Sequence, residues 1–159
     1  MATFTVARDV DAPALDAWQL VTDWTAHSRW VALTHVTVTG ATGGVGTRFV
    51  GRTGVGPLGF DDPMEVVRWE PPTAGEPGAC TVRKLGRVVL GWAQVRVTPV
   101  GPARARVEWT EDVDIAPVAW TTWAGPLVAA AGRLAFRHLL RRVAEELTHA
   151  RPGGGHRGG

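Results

Sequence analysis

The chain has 159 residues, with 17 basic and 15 acidic side chains and a formal charge of +2, a field too weak to predict a nucleic-acid partner. A chain of this length suits one domain with one sizeable core, burying roughly 70% of the surface its unfolded form exposes. Its one cysteine, Cys80, excludes an internal disulfide and a cysteine-rich zinc site, and its one serine, Ser28 in "AHSRW", lacks the flanking glycines of a nucleophile elbow.

The first element, "TFTVARDVDA", alternates Phe4, Val6 and Arg8 against Thr5, Ala7 and Asp9, which reads as a strand ending near Asp11. Arg8 and Asp9 interrupt it before any long apolar run, so no signal peptide is read. No apolar stretch reaches the ~18 residues of a membrane span, and the expectation is a cytoplasmic protein without integral membrane association. Asp11 can accept from the free amides of a helix start and Pro13 fits a first turn. "PALDAWQLVTDW" is therefore predicted helical, burying some of Leu15, Trp18, Val21 and Trp24, and "TAHSRW" forms a second short helix in which Trp30 covers something apolar.

From Leu33 to Ile115 the sequence turns to short β-branched runs: "THVTVTG", "GTRFVGR", "PMEVVRW", "CTVRKLG", "VVLGWAQVRV" and "ARVEWTEDVDI". Mostly short breaks of turn chemistry separate them, so six antiparallel neighbours are the economical reading. One break, "TGVGPLG", has glycines at 54, 56 and 59 but no GK[ST] ending and no following helix, so it is a connection and not a phosphate cradle. Pro63 cannot donate to a ladder and marks an edge or a first residue.

From Pro126 a helical stretch runs to about Arg151, with Phe136, Leu140, Val143 and Leu147 on one face, Ala135 and Leu139 widening it, and Arg133, Arg137 and Arg141 on another. That arginine row, with Arg142, reads as a solvated face balanced by Glu145 and Glu146; contact with phosphate or a membrane surface is the alternative. Residues 1–151 form the predicted domain, and the glycine-rich 152–159 a flexible tail.

A strand, two short helices, a six-stranded antiparallel meander and a long C-terminal helix imply an α+β fold. In it a curved seven-stranded sheet grips the last helix around an internal cavity or a filled core. This order of elements, together with "VDAPALDAWQLVTDWTAHSRW", "GVGTRFVGRTGVGPLGFDDPMEVVRWEPP", "GWAQVRV" and "VEWTEDV", resembles the SRPBCC superfamily. These are the START and birch-pollen-allergen helix-grip proteins, and the likeness is to the actinobacterial polyketide cyclase/dehydrase branch. The resemblance implies a START-like helix-grip domain, a fold that hosts lipid and hormone carriers as well as aromatase/cyclases. Such cyclases line their cavities with arginine, tyrosine and serine. This chain has no tyrosine, places Ser28 in the helical region, and offers no motif that assigns Arg52 or Arg68 as the arginine, so no catalytic residue carries over.

Strand parity supplies the site candidates. In "ARVEWTEDVDI", Val107, Trp109, Val113 and Ile115 share one face, and Glu111 falls among them. A carboxylate pointing into an apolar interior needs a partner or a raised pKa, so Glu111 is either a functional acid or one half of a structural ion pair. On the preceding strand Ala93, Val95 and Val97 face inward with Gly91, whose missing side chain leaves room for a ligand or for a bulky residue of the long helix. Asp61 and Asp62 are adjacent on an extended chain, so only one looks inward. If Met64 and Val66 line the pocket, that one is Asp62, with Arg68 on the same face, and a turn-cap or salt-bridge role is its alternative. Of the eight tryptophans, Trp24, Trp30, Trp69, Trp109, Trp120 and Trp123 could ring a pocket, with core filling the alternative for most of them; Trp120 and Trp123 are best placed to form a mouth, and Phe136 and Leu140 of the long helix are further candidate contacts. Histidines 27, 35, 138, 149 and 156 show no metal-binding spacing, so neither a metal nor another cofactor is expected.

Three functional readings follow. The first is a monomer or homodimer that binds a hydrophobic small molecule such as a polyketide, lipid or aromatic metabolite. The second is a cyclase or dehydratase-type enzyme in which Glu111 and Asp62 move protons. The third is a regulatory or interaction domain with a vestigial cavity.

Overall fold

The computed structural model describes residues 2–116 and 119–150, without the side chains of 119–124. Strand β1 (Ala2–Val10) leads into helix α1 (Ala14–Val21), a 3-10 turn (Trp24–Ala26) and the one-turn helix α2 (His27–Trp30). Six strands follow, β2 (Thr34–Thr39), β3 (Arg48–Thr53), β4 (Phe60–Glu70), β5 (Gly78–Lys84), β6 (Val89–Gly101) and β7 (Arg104–Ile115), and helix α3 (Ala119–His149) ends the fold. The seven strands form one sheet in the order β1-β7-β6-β5-β4-β3-β2, and every neighbouring pair is antiparallel. This is the α+β helix-grip architecture expected from the order of the elements. The tail expected at 152–159 lies outside the described residues.

Local chemistry explains most boundaries and corrects several. Asp11 does not cap α1; its carboxylate lies 3.5 Å from Arg104, and Pro13 occupies the cap position without a side-chain bond. Asp23 is the capping acid instead, accepting from the backbone N–H groups of Thr25 and Ala26 and so starting the turn that carries Trp24 into the core. Trp18, Val21 and Trp24 are buried, whereas Leu15 is exposed. Pro63 lies inside β4 and not at its start. Nor is β4 an edge strand, since it lies between β5 and β3; the Pro63 carbonyl accepts from Leu85 N–H just past the end of β5, and the ring nitrogen has no N–H to return.

Helix α3 begins before Pro126, which sits inside it. The apolar spacing locates the body of the helix, but Pro126, expected to mark its first turn, does not. Ala135, placed on the inner stripe by the sequence, is exposed. The second half of α3 packs solidly, with Leu139, Leu140, Val143 and Leu147 in one cluster with Trp18, Val95, Val97 and Val107. The first half lies close to β1: a Cβ added at Gly132 would come 2.4 Å from the Phe4 ring, so glycine there sets the approach of helix to sheet. Interior packing is therefore tight beneath one half of α3 and open beneath the other.

Candidate functional site

The open half is a cavity of about 310 Å³, at the lower end of the ~300–1,000 Å³ typical of small-molecule sites. Helix α3 contributes Val128, Gly132 and Phe136 to its wall, residues four apart and hence on one face. Phe136 stacks on Trp109 with ring centroids 4.7 Å apart and tilts against Phe4 at 5.6 Å. Opposite, Trp24 stacks on Phe49 at 4.5 Å. These aromatic pairs form flat apolar walls.

The ionisable groups come from separate elements. Alternation on β7 sends Trp109, Glu111 and Val113 inward, as the parity of "VEWTEDV" predicts, and Glu111 is only 7% exposed. The Trp109 indole donates to Glu111 Oε1 at 3.2 Å, a bond along one strand face between residues two apart. From β4, Asp62 faces the cavity, while Asp61 is exposed and pairs with Arg52 at 2.8 Å. From β5, Lys84 reaches the same wall and its Nζ lies 2.6 Å from Asp62 Oδ2.

Burial pushes the Glu111 carboxyl above its ordinary value and the nearby Asp62 carboxylate pushes the same way, against the pull of Lys84 and the Trp109 hydrogen bond. Burial likewise raises Asp62, opposed by Lys84. His27 is buried too, and desolvation holds its imidazole below the usual value. Its Nε2 lies 2.9 Å from the Val21 carbonyl. A carbonyl only accepts, so Nε2 carries the proton. Two further polar atoms at the wall, Trp24 Nε1 and Asp62 Oδ1, are buried without a hydrogen-bond partner among the described residues.

Several expected contacts fall elsewhere. Arg68 is exposed and pairs with Glu70, because the register slips between Val66 and Arg68 and the bulge reverses the alternation assumed for β4. Val66, Leu140 and Trp30 belong to the solid core and not to the cavity wall. The Trp30 indole donates to Glu146 Oε2 at 3.0 Å, tying α2 to α3. Gly91 clears space for backbone and not for a ligand: at φ +117°, an added Cβ would meet the Asp112 carbonyl oxygen at 2.0 Å. The side chains of Trp120 and Trp123 lie outside the described residues. Of the expected contacts, Glu111, Asp62, Trp109, Met64 and Phe136 do meet at the cavity.

Lys84 is the functional candidate the sequence reading missed. It is the chain's only lysine among sixteen arginines, and it shares parity with buried Cys80 and Val82 on β5, so both signals were available. Neither Arg52 nor Ser28 reaches the cavity wall. Ser28 Oγ accepts from Val36 N–H and joins α2 to β2, and burial pushes the Cys80 thiol up to about 12, where it is unreactive. Among the described residues no group of three His, Cys, Asp or Glu side chains could hold a metal ion, and no helix is long and apolar enough to cross a membrane.

An antiparallel sheet gripping a C-terminal helix over an apolar cavity defines a ligand-binding helix-grip domain. Residues 1–148 match the family described as polyketide cyclase / dehydrase and lipid transport, and the chain belongs to that family. Solved structures with the same fold include a protein of Thermus thermophilus, at 14% identity over 94% of this chain and 99% of that one with a TM-score of 0.74. The Zhui aromatase/cyclase of Streptomyces sp. R1128 aligns at 16% identity over 96% and 98% with a TM-score of 0.72. A START superfamily protein of Mycobacterium smegmatis aligns at 14% over 95% and 100% with a TM-score of 0.70. No curated protein matches the chain.

Proposed function

We propose that this protein binds a hydrophobic small molecule, such as a polyketide, a lipid or an aromatic metabolite, between the sheet and the first half of α3. The observation that carries this reading is the cavity of about 310 Å³, walled by stacked aromatic pairs beside a buried hydrophobic core. An unfilled apolar space forfeits dispersion contacts, and a domain that needed only stability would gain by closing it. Native mass spectrometry of the freshly purified full chain tests this: a co-purified compound of low mass is the expected result. A chain that arrives empty and takes up no apolar probe would count against the reading, and would favour an interaction domain with a vestigial cavity.

A second reading makes the protein a cyclase or dehydratase-type enzyme with Glu111 as general acid or base. Its support is the buried Glu111 carboxyl, which lines the cavity with its pKa displaced upward by burial and so keeps its proton to a higher pH than an ordinary carboxyl, as a general acid requires. Glu111→Gln separates the two readings. An enzyme loses turnover while retaining ligand, whereas a carrier retains ligand and has no turnover to lose.

A further inference from the structure

Among the described residues, charge at the cavity wall comes from four ionisable side chains: His27 on α2, Asp62 on β4, Lys84 on β5 and Glu111 on β7. The other described wall residues are apolar, glycine or threonine, and the described side chains of α3 add Val128, Gly132 and Phe136. Lys84 is thus the sole cation there among the described residues other than a protonated histidine, and burial disfavours the histidine's charge. Lys84 is already engaged by Asp62 at 2.6 Å, with side chains 5% and 13% exposed. A ligand carboxylate entering this space would meet one cation that is already paired and a second carboxyl, Glu111, beside it. Desolvating an added like charge without a free partner is strongly unfavourable.

The hydrogen-bonding pattern points the same way. When Glu111 holds its proton, Oε1 accepts from Trp109 and the hydroxyl on Oε2 is left as a donor. Trp24 Nε1 is a second donor without an acceptor, and Asp62 Oδ1 an acceptor without a donor, among the described residues. All three residues line the one cavity, and Glu111 feels the Asp62 charge directly. Trp24 stacks on Phe49, Phe49 pairs with Met64, and Gly51 and Asp62 form the next pair on that face.

We infer that the cavity selects an uncharged apolar molecule bearing a carbonyl or hydroxyl oxygen at its polar end, and excludes carboxylates. The inference rests on the ligand-binding reading above and adds the chemical class of the ligand. Three bicyclic probes, 2-acetylnaphthalene, naphthalene and 2-naphthoate, test it by equilibrium dialysis against the full chain near neutral pH. The ketone should bind more tightly than naphthalene and at least about tenfold more tightly than 2-naphthoate. In Asp62→Asn the Lys84 charge is released, and the preference for the ketone over 2-naphthoate should shrink about tenfold. Should that variant not fold, Glu111→Gln removes the other carboxyl at nearly constant volume and should also raise 2-naphthoate binding. Naphthoate binding the natural chain as well as the ketone, or naphthalene binding equally well, overturns the inference and leaves the cavity reading standing. If no probe binds, naphthalene included, the cavity reading falls with it.

Discussion

Lys84 and Asp62 show how one side chain's value depends on its partner. The pair is buried, so Lys84→Met strands a carboxylate in an apolar wall, with an expected loss of about 3–5 kcal/mol in urea unfolding. Adding Asp62→Leu to Lys84→Met should recover much of that loss, because the unpaired charge goes with it. Glu111 gives a pH signature. Its folded-state pKa lies above the ordinary 4.5, so above that pH the unfolded chain releases a proton that the folded chain keeps, and stability falls as pH rises towards the folded value. Glu111→Gln should abolish that fall, measured as the difference between the two unfolding curves across the pH series. His27 acts in the opposite sense. Its folded pKa lies below 6.5, and stability should drop as acid protonates the unfolded imidazole first. At this scale the sequence was half legible. Alternation on β7 found Glu111 because no bulge interrupts its inner face from Val107 to Val113. The same rule misplaced Arg68, because a bulge is a backbone event with no unambiguous side-chain signature.

Elements carry the next level of constraint. The pairing of β6 with β7 brings Gly91 against the Asp112 carbonyl, so a methyl there is excluded by both contact and backbone conformation. Gly91→Ala should cost on the order of 2–3 kcal/mol in thermal or urea unfolding, while ligand affinity, referred to the folded fraction, should hold, since Gly91 does not line the cavity. Gly132 differs because its obstacle is the Phe4 ring. Gly132→Ala should destabilise the fold, and Phe4→Leu introduced alongside it should relieve part of that loss, a coupling that a double-mutant cycle reads directly. Strand order and the body of α3 were legible from periodicity and turn residues. What the sequence concealed was the division of α3 into a packing half and a wall half. Phe136 and Leu140 stand four apart on one apolar stripe, yet the first faces the cavity and the second lies in solid core. Only the arrangement of all the surrounding elements separates them.

At the scale of the molecule, a hollow core makes stability depend on what fills it. A bound neutral ligand at one hundred times its Kd should add about 2.7 kcal/mol, visible as a rise in Tm that grows with ligand concentration and is smaller with 2-naphthoate at the same concentration. The fold itself was readable because segments from both ends of the chain agree on one order of elements, whereas the wall of the cavity draws on every strand and on α3, so no local motif specifies it. A practical consequence follows from the lone lysine. Amine-acylating reagents have just one ε-amino group to find, and it is buried at the cavity wall. The rate at which position 84 becomes acylated thus clocks how often the interior breathes open, and a snug occupant should slow that clock.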